Sequence, residues 1–198
     1  MNGKGVFDDH DDAATPLTPD ERQGLIPTYI TTRAELNEAE HLNIVQAEAW
    51  TSRRRRDVLD VAFMRRLHQR MFGKVWRWAG EWTGQRDRRI GVDHWRVETE
   101  LTALIEDVTY WVAHETYPAD EIAARFHHKL TWIHPFPNGN GRFARMATDL
   151  LLLNMNRPRF SWGAANMVEP NETRRRYVAA LKSADHHDIE ALLAFVRS

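Results

Sequence analysis

Apolar residues recur with helical spacing over most of the chain. Leu59, Phe63, Leu67 and Met71 return every four residues, with Gly73 as a stop. Leu101, Leu104, Ile105, Val108, Trp111 and Val112 form a second stripe, and Ile122, Phe126, Leu130 and Ile133 a third that ends immediately before His134. A fourth, Phe143, Met146, Ala147, Leu150 and Leu151, begins after a glycine-rich stretch. Ahead of these, Thr32 and Glu35 have the spacing of a capping box, followed by strong helix formers, which predicts a helix from about Arg33 to about Ser52. Two further helices are expected near Glu172–Ser183 and Asp188–Arg197. Between Lys74 and Val97 the period is lost among glycines and tryptophans, which predicts an ordered loop with a short β-hairpin over Arg88–Val97. The expected class is all-α.

Composition adds bounds. The 198 residues are 42% hydrophobic and 28% charged, enough for one sizeable core. Cysteine is absent, which excludes disulfides and thiolate metal sites, and no apolar run approaches the roughly 20 residues that span a bilayer. The first 24 residues, rich in Asp, Gly and Pro, read as a mobile leader without the apolar stretch of a signal peptide, so a cytoplasmic protein is expected. Net charge is −1, so nucleic acid is not an expected partner; the basic runs Arg53–Arg56, Arg86–Arg89 and Arg174–Arg176 read as solvated faces. Ten histidines show no metal-ligand spacing, and His127 and His128, adjacent on a helix, point about 100° apart.

The chemistry concentrates in "HPFPNGNGRFAR", residues 134–145, which joins two buried helices. Gly139 and Gly141 free the backbone so that successive N–H groups converge on an anion, at the start of a helix whose dipole strengthens the site. Arg142 and Arg145, three apart, can face one oligophosphate. His134 stands at the edge of this site and titrates near neutral pH, which makes it a candidate general base. Asn138 and Asn140 offer amide groups for loop bonds, metal or phosphate. The Lys and Ser/Thr of a P-loop are missing.

This stretch resembles the signature H-P-F-x-[D/E]-G-N-G-R-x-x-R of the Fic (filamentation induced by cAMP) family, supported upstream by "LHQRMFGKVWRWAGEWTG"; the likeness covers roughly Leu59 to Asn156. The whole chain is also similar to a bacterial subgroup called mobile mystery protein B. The resemblance implies a Fic-type helical bundle with a β-hairpin flap, organised as a leader (1–24), an N-terminal segment with an inhibitory helix (25–57) and a catalytic domain (58–198). It implies transfer of AMP from ATP to a Ser, Thr or Tyr hydroxyl of a target protein. His134 would be the base, Gly139, Asn140 and Gly141 the anion nest, Arg142 the holder of distal phosphates, and Arg145 a partner of the phosphate chain or of an inhibitory carboxylate. The flap would be Arg89, Ile90, Gly91 and Val92, binding the target by strand addition. Asn138 departs from the acid that usually binds Mg²⁺, and a neutral amide is a poorer ligand for a hard cation. Gly141 favours AMP transfer, because the phosphorylating Doc-type toxins carry Lys there. Glu35 resembles the inhibitory glutamate of self-restrained members, with Glu38 as the alternative and a plain capping-box role as the competing reading. The alternative functions are a nucleotide- or partner-binding module without turnover and transfer of another phosphate-containing group. The target and the oligomeric state are not legible.

Overall fold

A computed structural model describes residues 19–84, 91–164 and 170–198, with side chains from residue 22 onward and, after the second break, from residue 172. The described chain is helical: α1 (Pro19–Gly24), α2 (Arg33–Ser52), α3 (Val61–Phe72), a 3₁₀ turn (His94–Arg96), α4 (Val97–Ala113), α5 (Ala119–Ile133), α6 (Asn140–Asn154), α7 (Pro170–Asp185) and α8 (Glu190–Val196). The helix α1 lies within the stretch expected as a leader, the rest of which, residues 1–18, is outside the described residues.

The helices end where local chemistry stops them. Thr32 caps α2 in a full capping box, its side chain accepting from the Glu35 N–H while the Glu35 carboxylate accepts from the Thr32 N–H. Asp60 caps α3 by accepting from the Phe63 N–H. The helix α5 ends at His134, whose left-handed backbone (φ 54°, ψ 59°) turns the chain out of the helix.

Helix α5 occupies the centre, against α4, α6 and α8. One of its faces buries Ile122, Phe126, Leu130 and Ile133 in the main core with Met64, Leu67, Met71, Leu101, Leu104, Phe136 and Phe143. Its other face, Ala123 and Ala124, belongs to a second cluster with Leu152, Tyr177, Leu192 and Phe195, which seats α7 and α8. Small residues there allow close approach of the helices. Helix α2 lies on α3, pinned by Asn43, which donates to the Arg70 carbonyl at 2.8 Å and accepts from the Lys74 N–H at 2.9 Å.

The expected hairpin over Arg88–Val97 is not supported: Arg88, Arg89 and Ile90 lie outside the described residues, and beyond them Gly91 and Val92 form a bend, residues 94–96 a 3₁₀ turn, and Val97 opens α4. The alternation that suggested a strand arises from two separate anchors: Val92 and Val97 are each buried, one at the bend and the other in the first turn of a helix. No named strand occurs among the described residues; Leu25 and Trp76 form an isolated antiparallel bridge that ties the start of the chain to the tryptophan-rich turn. No helix is long and apolar enough to cross a membrane among them. The basic runs are partly engaged: Arg56 stacks 4.0 Å from the Trp50 ring centroid, and on α7 the exposed Arg175 pairs with Glu172 at 3.6 Å, while Arg86–Arg89 lie outside the described residues.

Candidate active site

Residues 134–145 form a rigid corner between α5 and α6. Asn140 is buried and clamps it, accepting from the Phe136 N–H at 2.9 Å and donating to the Phe136 carbonyl at 2.7 Å. The Asn140 side chain is therefore a loop staple, and only its backbone remains for the anion nest. Thr83 donates its N–H to the Pro135 carbonyl at 2.8 Å, so the tryptophan-rich turn holds the corner from outside.

A residue the sequence reading passed over holds the corner from within. His68 of α3 is fully buried and stacks on Phe136, ring centroids 3.7 Å apart. Its Nδ1 accepts from the Gly80 N–H at 3.0 Å, so Nε2 carries the proton and donates to the Asn138 carbonyl at 3.1 Å. Burial pushes the pKa of His68 down to about 3, so it stays neutral and both bonds persist at neutral pH. The sequence signal was a histidine inside the buried stripe Met64, Leu67, Met71.

Gly139 and Gly141 have different duties. Gly139 caps α6 at φ 77°, and a Cβ there would stand 2.6 Å from the Phe72 ring. At Gly141 a Cβ would meet nothing within 4 Å, because that side opens on a cleft. Gly139→Ala is expected to lower stability by about 1–3 kcal/mol through strain and overpacking. Gly141→Ala is expected to leave the melting temperature unchanged and weaken phosphate binding. Thermal melts and nucleotide titrations of the pair check both outcomes.

The cleft has a volume of about 680 Å³ and is lined by His134, the backbone of residues 137–141, Arg142 and Arg145, with Arg33, Leu36 and Glu40 of α2 opposite and Tyr177 of α7 at one end. The His134 imidazole is mostly buried; desolvation lowers its pKa, opposed by a hydrogen bond to the Thr131 backbone. It is neutral near pH 7 and able to take a proton. Gly91, at φ 90°, passes so close that a Cβ would lie 2.5 Å from the His134 Cβ, and Val92 donates its N–H to the Ile133 carbonyl at 3.2 Å. Two of the four expected flap residues thus stand beside His134 as bent chain.

The arginines differ in state. Arg142 donates from Nη1 to Glu40 Oε2 at 2.7 Å, and Glu40 Oε1 accepts from Trp76 Nε1 at 2.6 Å, with Glu40 buried. Arg145 keeps a buried Nε without a hydrogen-bond partner. Arg145 nevertheless lines the cleft with Gly141, and a guanidinium beside that open space fits an anionic ligand.

Three expectations are corrected here. Glu35 does not reach Arg145: its carboxylate is occupied by the N–H groups of Thr31 and Thr32, at 2.7 and 3.0 Å, in the capping box. Glu38 is exposed. The carboxylate that enters the cleft is Glu40, because the buried face of α2 runs through Leu36, Glu40, Asn43 and Ala47. The residues present do not fit a protein-held Mg²⁺ either. Asn138 Oδ1 accepts from the Gly139 N–H at 2.7 Å, and no cluster of His, Asp and Glu suited to a metal exists among the described residues.

Residues 58–152 match the Fic/DOC family model. This segment is a Fic/DOC domain. Relatives of this chain include protein adenylyltransferase fic-1 of Caenorhabditis elegans, 33% identical over 95 residues, which are 46% of this chain and 17% of that protein. Protein adenylyltransferase Fic of Nematostella vectensis is 36% identical over 76 residues, 38% of this chain and 16% of that one. The chain thus spans about a sixth of the length of these curated relatives. Among solved structures, a Fic-1 fragment from C. elegans superposes with a TM-score of 0.65 at 22% identity, over 82% of this chain and 48% of that one. The N-terminal Fic domain of a VirB-translocated Bep effector from Bartonella quintana with bound ADP gives 0.63 at 19% identity, over 85% and 86%. The fold of the Fic domain is therefore shared well beyond the matched segment.

Proposed function

We propose that this chain is a protein adenylyltransferase that moves AMP from ATP to a hydroxyl side chain of a target protein. The carrying observation is one cleft lined at once by a neutral, desolvated His134, by the opening at Gly141 and by Arg142 and Arg145. Relatives named as adenylyltransferases and an ADP-bound Fic domain support the choice of reaction and nucleotide.

In this reading the phosphates lie against the N–H groups that open α6 and against Arg145. His134 removes the proton from a Ser, Thr or Tyr hydroxyl of the target, whose oxygen attacks the α-phosphorus. The bond to the β-phosphate bridging oxygen breaks, and pyrophosphate leaves with the electron pair. Positioning and charge stabilisation supply most of the rate, because the protein forms no covalent intermediate. Mg²⁺ would depend on ligands other than the carboxylates of the described residues.

Self-restraint belongs to the same reading. Glu40 places a carboxylate in the cleft and engages Arg142, so the arginine that would hold distal phosphates already holds an anion. Helix α2 is then an inhibitory element, with Glu40 in place of Glu35. Binding without turnover is the second reading, and it is favoured only by the neutral Asn138.

Incubating the protein with ATP labelled at the α- or at the γ-phosphate decides the reaction class. Label transfer to protein from α-labelled ATP alone is expected. Transfer from γ-labelled ATP would mean phosphorylation, and transfer from neither, with ATP bound, a binding module.

A further inference from the structure

Arg145 projects from the first turns of α6, but the groups that orient it come from α5 and α7. His127 of α5 is fully buried, and its neighbours fix which ring nitrogen bears the proton. The Thr148 hydroxyl gives its hydrogen to the Ala144 carbonyl at 2.7 Å, so it offers only lone pairs to His127 Nδ1, 3.4 Å away. Nδ1 is therefore the protonated nitrogen, and Nε2 accepts from the Tyr177 O–H at 2.9 Å. Burial pushes the pKa of His127 down to about 3 and that of Tyr177 up to about 12, so neither group changes charge near neutral pH.

With its hydrogen committed to His127, Tyr177 is fixed in place, and the Arg145 guanidinium carbon stands 5.2 Å from its ring centroid. We propose that His127 and Tyr177 form a relay, from the α6 backbone through Thr148 and His127 to Tyr177, whose ring positions Arg145 for the distal phosphates of a bound nucleotide. Tyr177 fixes the rotation of the guanidinium. His127 fixes Tyr177. The guanidinium, which lines the cleft, is then held for an anion there. Tyr177 lies beyond residue 152, where the family match ends, so α7 completes a site that the matched segment lacks. This inference rests on the reading of the cleft as a nucleoside triphosphate site.

Its test is the affinity of the full chain for ATP and for AMP, by calorimetric titration, in wild type, Tyr177→Phe, His127→Leu and His127→Gln. Tyr177→Phe keeps the ring and removes the hydrogen bond that fixes it to His127; ATP affinity is expected to fall about tenfold while AMP affinity holds. His127→Leu is expected to do the same. His127→Gln, whose amide can donate to Thr148 and accept from Tyr177, is expected to restore the ATP-to-AMP ratio. A purely structural role would not move that ratio, so an unchanged ratio in Tyr177→Phe with ATP bound by wild type overturns the relay alone. If His127→Leu fails to fold, Tyr177→Phe decides. Binding of neither nucleotide by wild type overturns the nucleotide reading and the relay with it.

Discussion

His134→Ala is expected to reduce AMP transfer by about 10²–10⁴-fold while leaving nucleotide affinity and melting temperature near those of wild type. The imidazole lines the cleft, and what it supplies is a site for a proton. Single-turnover transfer rates set beside titrations of ATP separate the two quantities. The same residue sets the acid side of the pH profile. A base must be neutral to act, and desolvation lowers the pKa of His134, so activity is expected to persist below pH 6.5, the usual midpoint for histidine, and to fall only as pH drops through the lowered value. A fall centred above that midpoint would mean that His134 is stabilised as a cation and is not the base described here.

Glu40→Gly is expected to raise transfer, self-labelling included, by roughly ten- to hundredfold, the factor corresponding to a charge-assisted hydrogen bond of about 1.5–3 kcal/mol. Two effects oppose. Removing the carboxylate frees Arg142 for phosphate, but glycine inside α2 costs about 1 kcal/mol of helix stability and leaves the Trp76 N–H without its partner. Glu40→Gln separates them, since its amide oxygen can still accept from Trp76 while the charge facing Arg142 is gone. Activation by both variants places the restraint in the ion pair. Activation by Glu35→Gly and not by either Glu40 variant would return the inhibitory role to the capping-box glutamate.

The helices were legible because their information is local. The Thr32–Glu35 box and the return of apolar residues every three or four positions give α2 its observed bounds and α5 its end before His134. The corner at 134–145 was legible as a turn into a helix start, because its glycines precede a new apolar stripe in one short stretch. What failed to show was tertiary. Whether Glu35 or Glu40 enters the cleft depends on the rotation of α2 about its axis. The signal was a glutamate on the stripe Leu36, Asn43, Ala47, which looks like a polar fault until Arg142 and Trp76 come to meet it. The Asn140 side chain stayed open between loop bonds, metal and phosphate, because an amide has the same donors and acceptors whether it faces a phosphate or its own loop. The residues at Val92–Val97 mimicked a strand because period two and the first turn of a helix cannot be told apart over so few positions.

The central claim is that residues 134–145 transfer AMP and that α2 restrains them, and one paired measurement meets it most directly. Glu40→Gly and the double variant Glu40→Gly/His134→Ala are each incubated with α-labelled ATP, and label on protein is followed over time. The account predicts strong labelling by the single variant and loss of that labelling in the double variant, with both still binding ATP. Equal labelling by the two proteins would contradict it, because the transfer would then not depend on His134.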